Sequence, residues 1–164
     1  MNVMAQNPAY NVSKDEKNGE LVYKGLISFD DLNKESTFIW LKSGYDGYKP
    51  EEKTVNYLRD HLKDYTIVVF LGTWCEDSQY LIPKFEKILR IIDYPQSRLS
   101  MYGVDRAKAS KNGEHKTYNI TLVPTIILFK GGKETGRITE TAQKSIEADL
   151  AAIIEADPAA SQSH

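Results

Sequence analysis

The one cysteine of the chain lies in the run Trp74-Cys75-Glu76-Asp77-Ser78, after an apolar stretch closed by Gly72 and before a helical pattern. A thiol in the first turn of a helix faces unpaired backbone N–H groups and the positive end of the helix dipole. Both favour the thiolate, which is the nucleophilic form. Glu76 and Asp77 oppose this wherever their carboxylates approach the sulfur, because like charge disfavours ionisation. Ser78 follows one helical turn later, so its hydroxyl can sit beside the sulfur and donate to it. The plainer alternative is a serine that satisfies orphan backbone groups at the helix start. A lone cysteine is usually a small buried apolar residue; the preceding Gly72-Thr73-Trp74 junction argues against deep burial here. Two prolines join the constellation: Pro83 inside the helical pattern, and Pro124 in Val123-Pro124-Thr125, at the mouth of a later apolar run.

Those residues need a scaffold, and the pattern around them supplies one. Residues 66–71, Thr-Ile-Val-Val-Phe-Leu, have the β-branched content of a strand buried on both faces. After Cys75, apolar residues at Leu81, Phe85, Ile88, Leu89 and Ile92 mark one face of a helix reaching residue 93. Strands are expected over 21–28, 98–104, 125–130 and 133–139, the last two joined by Gly131-Gly132 as an antiparallel hairpin. Ser28 with Asp31 reads as a capping box opening a helix to about Lys42. Residues 44–50, with two glycines and a proline, read as a loop. A second helix follows with Val55, Leu58 and Leu62 on one face, a short one spans 113–119, and a last one carries Ile146, Leu150, Ile153 and Ile154. Residues 1–20 read as a flexible arm, 21–156 as one domain and 157–164 as a flexible tail. Within the arm, the run Lys14-Asp15-Glu16-Lys17 reads as solvated charge.

Composition narrows the function. At 164 residues the chain is one domain of ordinary size, able to build a core without disulfides or metal. The formal charge of −2 offers no basic field for a nucleic acid. No apolar run approaches the roughly 20 residues that span a bilayer. A single cysteine rules out an internal disulfide, and His61, His115 and His164 have no metal-ligand spacing. The aromatics Phe38, Trp40, Tyr45, Tyr48 and Tyr57 read as a satellite cluster, with a binding surface as the lesser alternative. Val3-Met4-Ala5-Gln6 looks like the small-residue end of a bacterial secretory signal, pointing to a periplasmic or other extracytoplasmic location and leaving a cytoplasmic one open.

Taken together, Trp74, Cys75, Pro83, Val123-Pro124-Thr125 and the Phe129-Lys130-Gly131-Gly132 turn resemble the thioredoxin family, over roughly residues 21–156. The resemblance implies an α/β thioredoxin fold: a central mixed sheet flanked by helices, here with an N-terminal extension. It matches Cys75 to the family's attacking cysteine and Pro124 to its cis-proline, with Val123 pairing to substrate backbone and Trp74, Glu76 and Asp77 around the substrate. Two family features are absent. Ser78 stands where the second cysteine would be, and Val69 where a buried aspartate is common. Without a second thiol, no dithiol–disulfide cycle can close within one molecule. Two functions are therefore expected to compete. One is thiol–disulfide exchange through Cys75 alone, of isomerase or deglutathionylation type, with Ser78 assisting and glutathione as co-substrate. The other is a redox-inactive module that binds an extended peptide along the Val123–Pro124 edge. Partners would be protein thiols or disulfides, or that peptide; no resident cofactor or metal is expected, and the oligomeric state stays open.

Overall fold

The computed structural model describes residues 8–159. The segment Val3-Met4-Ala5-Gln6 lies outside the described residues, as do residues 160–164. Six strands form one mixed sheet in the order β1-β2-β4-β3-β5-β6. They are β1 (Tyr10–Lys14), β2 (Leu21–Ile27), β3 (Thr66–Leu71), β4 (Leu99–Gly103), β5 (Thr125–Lys130) and β6 (Lys133–Thr139). β3 runs parallel to β4 and antiparallel to β5; every other pairing is antiparallel. The helices are α1 (Phe29–Asn33), α2 (Ile39–Gly47), α3 (Glu52–His61), α4 (Glu76–Ile91), α5 (Glu114–Thr117) and α6 (Ile146–Ala156).

β3 is the centre of the molecule because its sequence has no polar face to offer water. Ile67, Val69 and Leu71 enter the larger core with Leu81, Ile82, Phe85 and Ile88 of α4 and Leu150 and Ile154 of α6. Val68 and Phe70 point to the opposite face, into a smaller core with Trp74, Val104, Ile120, Val123 and Ile127. The period-2 alternation of a strand thus feeds two cores at once. At the far edge, Gly131 and Gly132 take φ of 59° and 78°, the left-handed pair that a two-residue hairpin turn requires.

Four expectations require correction. The arm does not stay loose to residue 20: Tyr10–Lys14 pairs with β2, and Tyr10 stacks on Tyr23 with ring centroids 5.0 Å apart. Its strand is exposed along most of its length, so local hydrophobicity could not announce it. The helix expected from Ser28 to Lys42 is two. The capping box is present, with Ser28 N–H donating to Asp31 and Asp31 N–H to Ser28. α1 then stops, and Glu35 accepts from both the backbone N–H and the hydroxyl of Thr37, local bonds that compete with helix continuation. The expected loop at 44–50 is helical as far as Gly47. At the other end of the domain, Asp157 is held where a loose tail was expected to begin, accepting from Tyr65 Oη at 2.6 Å.

Candidate active site

The strand–helix junction after β3 delivers the thiol. Gly72 lets the chain pass under the indole of Trp74: a Cβ there would lie 2.7 Å from Trp74 Cε2. Trp74 is 6% exposed, and its Nε1–H donates to Val104 O at 2.8 Å. That bond fixes the ring across the smaller core and sets the direction in which Cys75 leaves it. Cys75 is the N-cap residue of α4, with φ −96° and ψ 125°, so its backbone is extended while the helix begins at Glu76. The thiol is half-buried. Its Sγ lies 3.7 Å from the carbonyl oxygen of Val123.

The second contributor is the turn before β5. The Val123–Pro124 peptide bond is cis, and both residues are buried. Thr125 Oγ1 donates back to Leu122 O at 2.7 Å, closing the turn, and Pro124 O accepts from Glu140 N–H beyond β6. Cys75 and Val123, 48 residues apart in sequence, are thereby brought together.

Ser78 takes the backbone-satisfying role that the sequence offered as the plainer alternative. It is fully buried, and its Oγ accepts from Gly72 N–H at 3.0 Å. Its hydroxyl thus ties the first turn of α4 to the end of the strand. Glu76 and Asp77 are exposed on the outer side of that turn. Val69, at the position discussed for an aspartate, is fully buried between Met101 and Ile126 on the neighbouring strands. The aromatics expected as a satellite cluster join the main core instead: Phe38 is buried within it, and Trp40, Tyr48 and Tyr57 pack against it.

Sequence reasoning missed a third contributor, the turn from Asp15 to Glu20. Asp15 is 7% exposed, and Arg106 grips it through two bonds, Nε–Oδ2 at 2.8 Å and Nη2–Oδ1 at 2.7 Å. Its Oδ1 also accepts from the N–H groups of Lys17 and Asn18. Bonding to Arg106 holds the carboxyl well below the usual range, against the opposing effect of burial. The guanidinium of Arg106 lies over the Trp74 ring, 4.7 Å from its centroid. It is held above its usual value by the bond to Asp15 first; burial opposes, and the charge of Cys75 adds to the rise. Asn18 Nδ2 donates to Trp74 O at 3.1 Å. Nearby, burial pushes Asp105 up, but Lys24 at 2.7 Å and two backbone N–H groups together hold it down. A signal for this turn does exist in the sequence. Asn18-Gly19 is a hairpin dipeptide, and Gly19 adopts φ 73°.

Residues 51–155 match the family model described as Thioredoxin. The chain belongs to the thioredoxin family. Among curated relatives, Thioredoxin-1 of Saccharomyces cerevisiae is 31% identical over 88 residues, covering 52% of this chain and 78% of the relative. Thioredoxin of Chlamydia pneumoniae is 30% identical over 84 residues, covering 51% and 76% respectively. Among solved structures, an HIV epitope scaffold aligns over 75% of this chain and 87% of its own, with TM-score 0.57 and 14% identity. A Pseudomonas aeruginosa protein of unknown function aligns over 72% and 74%, with TM-score 0.51 and 15% identity. At such identities these structures speak for the fold alone. The thioredoxin match begins at residue 51, so the hairpin that carries Asp15 and Asn18 lies outside it. Thioredoxins carry out thiol–disulfide exchange, and the family suggests protein thiols as partners. Among the described residues, no helix is long and apolar enough to cross a membrane.

Proposed function

We propose that this thioredoxin works as a monothiol exchange protein, with Cys75 as its one nucleophile. The observation that carries the reading is the placement of Cys75: half-exposed at the start of α4, facing the Val123 carbonyl, in a chain with no second thiol. The Cys75 thiolate attacks one sulfur of a disulfide. A new S–S bond forms as the old one breaks, and the departing thiolate takes a proton from solvent. Cys75 is oxidised in the mixed disulfide and the departing sulfur is reduced. An external thiolate, with glutathione the natural candidate, then attacks the substrate sulfur of the mixed disulfide; a disulfide forms between those two, and Cys75 leaves as the reduced thiolate.

Each neighbour has a part in this scheme. Val123 and Pro124 present the backbone against which an extended substrate lies, while Glu76, Asp77 and Trp74 border the approach to the sulfur. Ser78 supports the helix start through Gly72 rather than resolving the intermediate, since a hydroxyl cannot close a disulfide. The scheme forbids one activity in particular. Offered an insulin-type protein disulfide with NADPH and a thioredoxin reductase, the chain should show no catalytic reduction, because nothing within it expels the bound substrate. Sustained turnover by the monomer in that assay would overturn the monothiol mechanism.

A further inference from the structure

We infer that the Asp15–Arg106 pair selects the disulfides that reach Cys75 by their charge, Arg106 attracting anionic partners and Asp15 restraining that attraction. The inference rests on Cys75 being the nucleophile. It deepens that reading by naming a substrate class: disulfides with a carboxylate close to the sulfur under attack. The argument begins with geometry. Arg106 uses Nε and Nη2 on Asp15, which leaves Nη1 without a hydrogen-bond partner among the described residues. Its side chain is 37% exposed, while that of Asp15 is only 4% exposed. A solute arriving at the thiol therefore meets the cation, with the anion set behind it.

The pair is held in register with the thiol from both sides. The Arg106 guanidinium lies on the ring of Trp74, the residue before Cys75, and Asn18 binds the Trp74 carbonyl. A planar guanidinium with open N–H donors suits a carboxylate, which it can bind through paired hydrogen bonds. Other charges stand close by. Glu76 and Asp77 on the helix itself are exposed and repel anions; Lys24 is paired with Asp105, whose side chain is as exposed as its own, whereas Asp15 lies buried behind Arg106. Arg106 thus presents a cation that can offset the two acidic residues beside the sulfur. Asp15 comes from the N-terminal hairpin, so an extension outside the matched thioredoxin segment sets the selectivity.

The test compares the rates at which anionic iodoacetate and neutral iodoacetamide alkylate Cys75 in the full chain. Both reactions form the same S–CH2 bond and expel iodide, so the ratio of rates cancels the fraction of thiolate and isolates the local field. In Arg106→Gln the ratio should fall roughly two- to fivefold, the scale of one unit charge several ångströms away at a protein surface. In Asp15→Asn, which keeps an oxygen for the N–H groups of Lys17 and Asn18, it should rise by a similar factor. Arg106→Lys should stay near the wild-type ratio, because the charge remains. Mere loosening of the site would move both reagents together and leave the ratio alone. A ratio unchanged in Arg106→Gln, or moving the same way in Arg106→Gln and Asp15→Asn, overturns the inference while leaving Cys75 as nucleophile. If iodoacetamide fails to modify Cys75 in the wild-type chain, the nucleophile reading falls and the inference with it.

Discussion

At the scale of the residue, Ser78 answers to the fold as well as to the motif. Its hydroxyl is buried and serves Gly72 N–H, one of the backbone donors at the junction that aims Cys75. Removing it leaves that donor unpaired in a dry place. Ser78→Ala should therefore lower the unfolding free energy by about 1–2 kcal/mol, measured by urea denaturation. Mixed-disulfide formation at Cys75 should persist in the same variant. Unchanged stability would contradict the structural role, and loss of all exchange in a folded Ser78→Ala would show that the hydroxyl acts on the sulfur. Trp74 is a parallel case. The sequence marked it as a border of the substrate site, and its nitrogen is committed to Val104 O inside the smaller core. Its contribution to the site is its backbone and the platform its ring gives to Arg106.

At the scale of the element, α2 and α4 meet where Gly44 faces Pro83. A Cβ on Gly44 would lie 2.7 Å from Pro83 Cγ and 2.9 Å from its Cβ. Alanine at a helix-interior glycine ordinarily gains up to about 1 kcal/mol, whereas overpacking a close contact costs about 1–3 kcal/mol. Gly44→Ala should thus be a net loss in thermal or urea unfolding, and a gain would contradict the packing. This contact also explains a misreading. Gly44 suggested a loop because glycine usually marks chain reversal, but here it permits close approach within a helix. The legible elements were those whose signal is local. The β3 run, the Ser28–Asp31 box, the diglycine hairpin and the apolar stripe of α4 all follow from short-range pattern. β1 was not legible in that way, since its residues are mostly exposed and carry no apolar pattern, and what holds it is its pairing with β2. The Asn18-Gly19 dipeptide was the available clue, but the polar residues around it suggested a solvated arm.

At the scale of the whole molecule, charge and burial define a pH window for stability. Asp15, Glu35, Glu134 and Asp157 are each held below ordinary carboxylate values, chiefly by bonds to Arg106, Thr37, Arg137 and Tyr65 respectively. Such groups contribute stability above the unfolded value of about 4 and lose it as pH falls through the folded values. Tyr23 and Tyr94 are pushed up to about 12, burial being the main cause in each. They contribute below the unfolded value of about 10 and lose it as pH rises towards 12. The urea midpoint should accordingly be flat between about pH 5 and 9 and fall on both sides; a midpoint that rises below pH 4 would contradict these assignments. The central claim, however, concerns one sulfur in this frame. Its most direct test is intact mass after incubation with oxidised glutathione at neutral pH. The account predicts a single glutathione adduct per chain, removed by an external thiol and absent in Cys75→Ala. An unmodified wild-type chain would contradict it and leave a peptide-binding thioredoxin scaffold as the better description.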